Sequence, residues 1–429
     1  MIIYNPNIDF PGGEYYNIDN LFCERFYMHR DLPTVQVTEN CRRRTSYGHP
    51  WIYDNEITGG DVPADGDICD VVSQKGRYVG SGFYNSHSKI RVRIISTNTN
   101  DKFDEAFFRR RVEYAYNYRK NVMPEEDRQA CRLIFGEADF FPGLTVDRFN
   151  DLLSVQILSL GTDMRKDIIL PAILDVLKAD GQEIKGVFLR NDAAIRELEG
   201  MEQEKRWYLK TDDASNETII TENGIKYAVD VENGQKTGFF LDQKYNRRAA
   251  ASLAAGKTVI DCCTHTGSFA LNCAKAGAKS VTAVDVSQTA VDMARRNAGL
   301  NGLSLDFAVS DVFEYMRHRI ETHDRSADYI ILDPPAFTKS RKTVGNAKNG
   351  YLELNTLAMR LLPRGGFLAT ASCSHFMTAD MFYKMLLEAS KAAGVGIRLI
   401  EMRRQSPDHP ILMCADETEY LKFFLLQIV

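Results

Sequence analysis

The second half of the chain alternates between short apolar runs and amphipathic helical segments, and this order restricts the folds available to it. Strands are predicted over residues 258–262, 280–285, 305–309, 329–333 and 367–371. Helices are predicted over residues 267–276, 288–299, 350–362 and 379–393. Because a helix after each strand carries the chain back to begin the next parallel strand, the alternation predicts a doubly wound, mostly parallel sheet. The C-terminal half therefore belongs to the α/β class.

Smaller units precede this sheet. The predicted units are an extension of unassigned role (1–33), an all-β barrel (34–103), a linker helix with a small α+β domain (104–215) and the sheet domain with a leading β-hairpin (216–429). In the barrel, the strand over 89–95 alternates apolar residues with basic ones, which predicts a cationic face. Asn223 and Gly224 favour a tight hairpin turn, since both tolerate positive φ angles.

The composition is that of a globular protein without a strong overall charge. The chain has 429 residues, of which 44% are hydrophobic and 26% charged, and its net charge is -5. A nucleic acid would therefore have to contact local basic patches. None of the nine cysteines belongs to a Cys-x-x-Cys pair, so no metal site is predicted. No signal peptide or membrane span is predicted, and we expect a cytoplasmic protein.

The loops after the strands decide which ligand such a sheet can bind, because ligands lie beyond the carboxyl ends of the strands. A phosphate-binding loop is excluded, since Gly256-Lys257-Thr258 precedes the first strand instead of following it. A dinucleotide needs Gly-x-Gly-x-x-Gly after the first strand, and only Gly267 is present there.

Acidic residues instead follow successive strands, which favours S-adenosylmethionine (SAM), a ligand with two cationic groups and no phosphate. We expect Asp285 to bind both ribose hydroxyls, Asp311 to bind the adenine amino group, and Gly267 to let the backbone pass the amino-acid moiety. The predicted cofactor-binding residues are Lys236, Thr237, Phe239, Asp261, Thr264, Gly267, Ser268, Asp285, Ser287, Asn297, Asp311, Asp333 and Pro334.

The most specific short motif is Asp333-Pro334-Pro335-Ala336-Phe337, at the end of the fourth strand. Its prolines fix the backbone, so that Asp333 and Phe337 can face a planar base that has been unstacked. Cys373 ends the neighbouring strand, and a thiolate there could add to carbon 6 of a pyrimidine and activate carbon 5. Cysteine is also often merely buried, and its usual pKa of about 8.5 requires local activation. Asp333 and Cys373 are the predicted catalytic residues.

Five motifs occur in a fixed order, and together they resemble the PUA-domain rRNA cytosine-C5 methyltransferases of the RlmI type. They lie at residues 48–52, 141–147, 236–243, 333–337 and 372–374. The resemblance covers residues 34–429 and implies an N-terminal PUA RNA-binding barrel, a central α+β domain and a C-terminal Rossmann-like class I methyltransferase. It also implies 5-methylcytosine formation in large-subunit (23S) rRNA, with Cys373 as nucleophile, Asp333 bonded to the cytosine, and residues 236–247 closing the SAM pocket.

One position departs from that family pattern. Related RNA cytosine-C5 methyltransferases often have a second cysteine directly after Asp-Pro-Pro, for product release, and Ala336 stands there instead. The base that removes the carbon-5 proton is therefore unassigned. Two alternatives are left open: methylation of a guanine nitrogen, with Cys373 structural, and a non-catalytic RNA-binding protein of ribosome assembly.

Basic side chains outside the sheet are candidates for contacts with ribosomal RNA. They are Arg42, Arg43, Arg44, Arg91, Arg93, Lys339, Arg341 and Lys342. Phosphate neutralisation by such residues would hold the strand beside the pocket, although each run also fits a solvated surface. No membrane partner is expected, and a homodimer is left open.

Overall fold

A computed structural model describes residues 30–337 and 344–429 of the chain. Most of the predicted N-terminal extension, and Lys339, Arg341 and Lys342, lie outside the described residues. Four sheets follow one another along the sequence, with six, five, two and seven strands.

The six-stranded sheet is the predicted barrel. Its strands are β1 (Thr34–Val37), β2 (Trp51–Tyr53), β3 (Ile57–Gly60), β4 (Ile68–Ser73), β5 (Tyr78–Tyr84) and β6 (Ile90–Ser96), in the order β2-β6-β5-β4-β1-β3. The two edge strands, β2 and β3, are separated by only three residues, Asp54–Glu56. Because so short a connection keeps both edges close together, the sheet must curl toward closure.

The all-β prediction for this unit was wrong at one place, since helix α1 (Glu39–Ser46) lies between its first two strands. The Thr38 side chain accepts a hydrogen bond from the Cys41 amide and caps the helix. Glu39 in the first turn and Arg43 and Arg44 in the last turn match the helix dipole. These capping signals were present in the sequence.

The five-stranded sheet forms the central unit with its helices. The elements are α2 (Glu105–Val122), β7 (Ala130–Phe135), β8 (Leu144–Phe149), β9 (Leu152–Ile157), α3 (Leu160–Asp163), α4 (Lys166–Ala179), β10 (Gly186–Asn191), α5 (Ile195–Leu198) and β11 (Glu204–Lys210), in the strand order β11-β10-β9-β8-β7. Phe107 and Val112 of α2 share one buried core with Phe83 of the barrel and Ile173 of α4. The helix predicted as a linker is therefore part of the core between the two units.

The predicted hairpin is present as β12 (Glu217–Glu222) and β13 (Ile225–Asp230), and it forms the two-stranded sheet. Its turn residues Asn223 and Gly224 have φ angles of 54° and 71°, as that turn requires.

The seven-stranded sheet confirms the predicted α/β architecture. Its elements are α6 (Lys244–Ala251), β14 (Thr258–Cys262), α7 (Ser268–Lys275), β15 (Ser280–Asp285), α8 (Gln288–Asn301), β16 (Asp306–Val309), α9 (Val312–Glu321), β17 (Tyr329–Leu332), α10 (Val344–Leu361), β18 (Phe367–Ser372), α11 (Ala379–Ala393), β19 (Ile397–Arg403) and β20 (Lys422–Ile428). The strand order is β16-β15-β14-β17-β18-β20-β19, and β20 is antiparallel to both of its neighbours. Helices α6 and α9 and the last two strands were not predicted. The buried apolar run of β20 fits either kind of element.

The register of the central strands determines where the motifs meet. Cys262 of β14 lies opposite Leu332 of β17, and Leu332 lies opposite Thr370 of β18. Because these strands are parallel, the residues that follow them leave the sheet at the same edge, on both sides of the point where the strand order reverses.

Candidate active site

A cavity of about 360 Å³ opens at this edge of the seven-stranded sheet. The predicted site residues that line it are Lys236, Thr264, Ser268, Asp285, Ser287, Asp311, Asp333, Pro334 and Cys373. Asp242, Gln243 and Arg247 also line it, and they lie within the segment 236–247 that the resemblance to the family places at the SAM pocket. His265 and Phe313 line it as well, and neither was among the predicted site residues.

Two residues predicted to bind the cofactor lie behind the cavity, in the motif segment before α6. The Thr237 hydroxyl is buried and donates a 2.6 Å hydrogen bond to Oδ2 of Asp147. The Phe239 ring is buried against Tyr227 and beneath the guanidinium of Arg247. Both side chains therefore anchor the segment and do not line the cavity.

Asn297 and Gly267 also have supporting positions. The Asn297 side chain accepts from the Ala228 amide (2.9 Å) and donates to the Thr266 carbonyl (3.0 Å), so it ties the hairpin to the loop after β14. Gly267 has φ +82° at the start of α7, and a Cβ there would lie 3.0 Å from Cβ of Ala294. Its role is to permit the turn, as expected for a glycine at a close approach.

Asp261, the last predicted residue outside the cavity wall, is fully buried behind it. Its Oδ2 accepts from the Thr264 hydroxyl (2.6 Å) and the Ala270 amide (2.9 Å), whereas Oδ1 has no hydrogen-bond partner among the described residues. Burial raises the pKa of Asp261 to about 7, and the charges of Asp333 and Asp285 act in the same direction. A cationic ligand nearby would compensate this unpaired acceptor.

Asp285 is held at the end of β15 by two backbone donors. His265 N donates to Oδ2 (2.9 Å) and Ser287 N donates to Oδ1 (3.0 Å). A carboxylate has about four acceptor positions, so two stay available for ribose hydroxyls. Asp311 is the exposed N-cap of α9, and its Oδ1 accepts from the amides of Phe313 and Glu314.

Asp333 leads the Asp-Pro-Pro turn into the cavity from the end of β17. Gln243 Nε2 donates a 2.9 Å hydrogen bond to its Oδ1, and Asn246 Nδ2 holds Gln243 in turn at 2.6 Å. Burial raises the pKa of Asp333 to about 7, and the neighbouring charge of Asp242 raises it further. Asp333 is therefore protonated in a large fraction of molecules at neutral pH.

Cys373 follows β18 and lines the same cavity. Burial raises the pKa of its thiol to about 11, and the charge of Asp333 acts in the same direction. The cations of Lys236 and Lys422 oppose this shift. Lys236 Nζ lies 4.8 Å from the centre of the Phe240 ring, and Lys422 Nζ donates to the carbonyl of Ser374 at 2.5 Å.

An aromatic wall lies beside the Asp-Pro-Pro turn. The Phe337 ring is 4.6 Å from the Tyr351 ring and 6.4 Å from the Phe313 ring, measured between centroids. Phe313, Phe337 and both prolines line the cavity. A flat heterocycle can therefore be held between an apolar wall and the carboxyl group of Asp333.

Two family models match the chain and agree with this division. A PUA-like domain matches residues 35–97, and an S-adenosylmethionine-dependent methyltransferase domain matches residues 205–425. A protein of Aeromonas salmonicida called ribosomal RNA large subunit methyltransferase I is 37% identical over 378 residues, which cover 87% of this chain and 94% of that protein. The protein of the same name in Klebsiella pneumoniae is 35% identical over 407 residues, which cover 93% of this chain and 99% of that protein. The chain belongs to the ribosomal RNA large subunit methyltransferase I family.

Solved structures support the fold of this methyltransferase. A protein described as a methyltransferase and crystallised with S-adenosylhomocysteine has a TM-score of 0.79 at 22% sequence identity. The match covers 92% of this chain and 99% of that protein. A second structure, described as a SAM-dependent methyltransferase from Streptococcus mutans, has a TM-score of 0.78 at 21% sequence identity. It also covers 92% of this chain and 99% of its own. Together with the two family models, these structures confirm the predicted PUA-like domain, methyltransferase fold and SAM cofactor. The alternative of a non-catalytic assembly protein is set aside.

The polar and acidic residues that line the cavity fit the groups of SAM. Asp285 and Ser287 lie at the end of β15, Thr264 and Ser268 follow β14, and Asp311 follows β16. These residues would hold the cofactor along the carboxyl edge of the sheet. Among the described residues there is no group of His, Cys, Asp or Glu side chains that could hold a metal ion, and no helix there is long and apolar enough to cross a membrane.

The predicted cationic face of the barrel is neutralised at Arg93. Arg93 bonds to Glu137 (3.1 Å) and to Glu199 (2.9 Å), and these ion pairs join the barrel to the central unit. Arg44 is paired with Glu56 at 2.7 Å. Arg43 on α1 is exposed, so it is better placed than Arg93 or Arg44 to meet a phosphate.

Proposed function

We propose that the protein methylates carbon 5 of a cytosine in large-subunit ribosomal RNA, through a covalent bond between Cys373 and carbon 6. The names of its relatives support the RNA substrate. One observation carries the cytosine assignment: a thiol and a carboxyl with a raised pKa, Cys373 and Asp333, line one cavity at the ends of the paired strands β18 and β17.

The roles follow from the protonation states of these two groups. When the Cys373 thiolate attacks carbon 6, negative charge develops on the ring, and Asp333 is able to donate its proton to ring nitrogen 3. The ring electrons are then concentrated at carbon 5, which is the nucleophile for methyl transfer. SAM supplies the electrophilic methyl group.

Thiolate formation is the demanding step, because burial of Cys373 favours the neutral thiol. Lys236 is the cation at the cavity that acts against this effect, and Lys422 acts from behind the wall. The thiolate is the reactive species in nucleophilic catalysis by cysteine, so these two lysines are activating residues in this mechanism.

The substrate base must leave its stack to reach Cys373, since the cavity lies within the protein surface. Unstacking costs a few kcal/mol, which contacts in the pocket have to offset. Phe337, Pro334 and Pro335 supply the apolar surface for this purpose.

One observation favours a second candidate. The raised pKa of Cys373 is also expected for a structural cysteine, in which case Asp333 and the aromatic wall would hold a guanine for methylation at a ring or exocyclic nitrogen. The two candidates differ in whether a covalent RNA–protein bond forms.

The decisive experiment uses RNA that contains 5-fluorocytosine, incubated with the full-length protein and SAM. Fluorine at carbon 5 cannot leave as a proton does, so the proposal predicts an RNA–protein adduct that survives denaturation and maps to Cys373. Cys373→Ala should abolish both the adduct and methyl transfer. Cys263→Ala is the matched control, since Cys263 lines the same cavity and should leave the adduct intact. Label recovered in guanosine, or full activity of Cys373→Ala, would contradict the proposal.

A further inference from the structure

The cytosine mechanism needs a base to remove the proton from carbon 5 after methyl transfer. Ala336 has no group that can do this, and the base has to lie in the same cavity as Cys373 and Asp333. Among the described residues, the other titratable groups that line this cavity are Lys236, Asp242, Arg247, Cys263, His265, Asp285 and Asp311.

Several of these groups are already committed. Lys236 and Arg247 are cations and take up no proton, and Arg247 is held in a fully buried ion pair with Glu222 at 2.6 Å. Asp285 and Asp311 accept hydrogen bonds from the amides at the ends of β15 and β16, which is the side of the cavity expected to hold the nucleoside of the cofactor.

His265 and Cys263 are poorly suited for different reasons. Burial lowers the pKa of His265 to about 4, and its ring packs edge-on against Phe240 at 5.0 Å, so it is a weak base. Burial raises the pKa of the Cys263 thiol well above its usual value, so it carries no charge at neutral pH.

Asp242 lies in the 236–243 motif, and it is positioned by contacts from a distant part of the chain. The Tyr420 hydroxyl donates a 2.6 Å hydrogen bond to its Oδ2, and the Ser406 amide donates to its carbonyl at 2.8 Å. Burial opposes ionisation of Asp242, but His409, Lys236 and the Tyr420 hydroxyl together lower its pKa below the usual value. Asp242 is thus a fixed carboxylate in the cavity wall.

The geometry of the segment before α6 indicates which end of the cavity Asp242 serves. The next residue, Gln243, donates the 2.9 Å hydrogen bond to Asp333, so Asp242 lies on the side where the target base is expected to bind, and its charge raises the pKa of both Asp333 and Cys373. Asp242 and Asp333 are then two neighbouring carboxyl groups whose pKa values are shifted in opposite directions, an arrangement typical of paired acid and base catalysts.

We propose that Asp242 is the general base that takes the carbon-5 proton, an inference that rests on the cytosine mechanism above. As the C–H bond breaks, its electron pair restores the ring double bond, the carbon 6–sulfur bond breaks, and Cys373 leaves as thiolate. Ring nitrogen 3 returns its proton to Asp333, and Asp242 later releases its own to water.

The first half of the reaction strengthens this base. Asp333 becomes a carboxylate when it donates its proton to the ring, and a second negative charge then faces Asp242. Like charges at short range raise proton affinity, so Asp242 binds a proton more strongly at the step that needs it.

The test uses the full-length Asp242→Asn variant, an unmodified large-subunit rRNA transcript and SAM with a labelled methyl group. We expect the first methyl transfer to stay within about tenfold of wild type, whereas steady-state turnover falls by about 10²- to 10⁴-fold, as for loss of a general base. The labelled RNA should accumulate as a denaturation-resistant adduct on Cys373. The wild-type protein should show no such accumulation with ordinary cytosine.

Two comparison variants distinguish the base from a structural residue. Tyr420→Phe removes the hydrogen bond that positions Asp242 but keeps the carboxylate, so turnover should fall less than in Asp242→Asn and less adduct should accumulate. His265→Gln removes another proton acceptor from the cavity wall and should accumulate no adduct. Product release by Asp242→Asn at the wild-type rate would overturn the inference. It would also be overturned if Asp242→Asn bound SAM but formed no adduct with 5-fluorocytosine RNA, because Asp242 would then act before proton removal. If wild type forms no adduct with that RNA, the cytosine mechanism itself fails.

Discussion

Gln243 and Asp333 are joined by a 2.9 Å hydrogen bond from Nε2 to Oδ1, which connects the segment before the parallel sheet to the Asp-Pro-Pro turn. The amide donor favours the ionised carboxylate and so opposes the effect of burial on Asp333. This contact therefore favours the conjugate base of Asp333 in the cavity.

Removal of that donor should shift the pH dependence of catalysis. At pH values below the pKa of Asp333, this residue is protonated, and kcat/KM rises with pH because Cys373 ionises. At pH values above the pKa of Asp333, loss of the Asp333 proton offsets this gain. The rise should therefore level off near pH 7 in the wild type, and at a higher pH in Gln243→Leu, because the pKa of Asp333 is raised further. The measurement is kcat/KM between pH 5.5 and about 9. Gln235→Leu, in the same cavity wall, should leave the break where it is.

Asp285 should contribute more to SAM affinity than Asp311. Asp285 lies half-buried between two backbone donors, so its carboxylate is fixed for the ribose hydroxyls, and charged hydrogen bonds of this kind contribute about 1.5–3 kcal/mol each. Asp285→Asn should weaken binding by roughly 10- to 100-fold in calorimetry. Asp311→Asn keeps the helix cap and lies on an exposed loop, so a smaller loss is expected. Equal losses would contradict this ranking.

The buried carboxyl of Asp261 should make folding stability fall as pH rises. Its pKa is about 7 in the folded chain against 3.8 in the unfolded one, so the folded state binds more protons between these values. The contribution of this carboxyl to the free energy of unfolding is fully present below pH 3.8. It decreases by about 1.4 kcal/mol for each pH unit as the pH rises from 3.8 to about 7. Relative to wild type, Asp261→Asn should gain stability steadily from pH 5 to pH 7 in denaturant unfolding.

Asp408 is the matched control for that measurement. Burial opposes its ionisation, but His409 beside it holds its pKa far below the usual value. Its stabilising contribution is therefore lost only as pH falls below 3.8. Asp408→Asn should cost stability throughout the range from pH 5 to pH 8, and a gain with rising pH like that of Asp261→Asn would contradict the assignment.

The buried ion pair between Arg247 and Glu222 should be essential for folding as a unit. Both side chains are about 1% exposed or less, and two hydrogen bonds of 2.6 and 2.9 Å join them. Glu222→Leu alone should cost about 3–5 kcal/mol, since it leaves a buried guanidinium unpaired. The double variant with Arg247→Met should recover part of this loss in a double-mutant cycle. The exposed pair Arg296–Glu217 should contribute only about 0–1 kcal/mol.

The placement of Asp333 and Cys373 at one cavity could be predicted because each residue stands directly after a strand. Asp333 and Cys373 end neighbouring apolar runs, and parallel pairing of β17 with β18 brings both to one edge whatever the details of packing. The hairpin turn at Asn223-Gly224 was predictable for a similar reason, since its chemistry is local.

The roles of the supporting residues could not be predicted in this way. Thr237 lies in the same motif as lining residues, and Asn297 lies in the helix after β15, but their side chains are turned toward Asp147 and toward the hairpin. Arg93 alternates correctly on its strand, yet Glu137 and Glu199 from the central unit neutralise it. Each of these partners is distant in sequence, and no local pattern specifies it.

The sequence by itself determined the class of the sheet, the positions of Asp333 and Cys373 after strands, and the absence of a dinucleotide loop, because the succession of strands and helices follows from local hydrophobic periodicity. The family resemblance indicated the segment 236–247 at the pocket, but only the tertiary structure decided which of its side chains line the cavity, and that Tyr420, 178 residues from Asp242, fixes the Asp242 carboxylate. Burial then set the charge of each group, since desolvation depends on the whole assembled environment and not on neighbours in the chain.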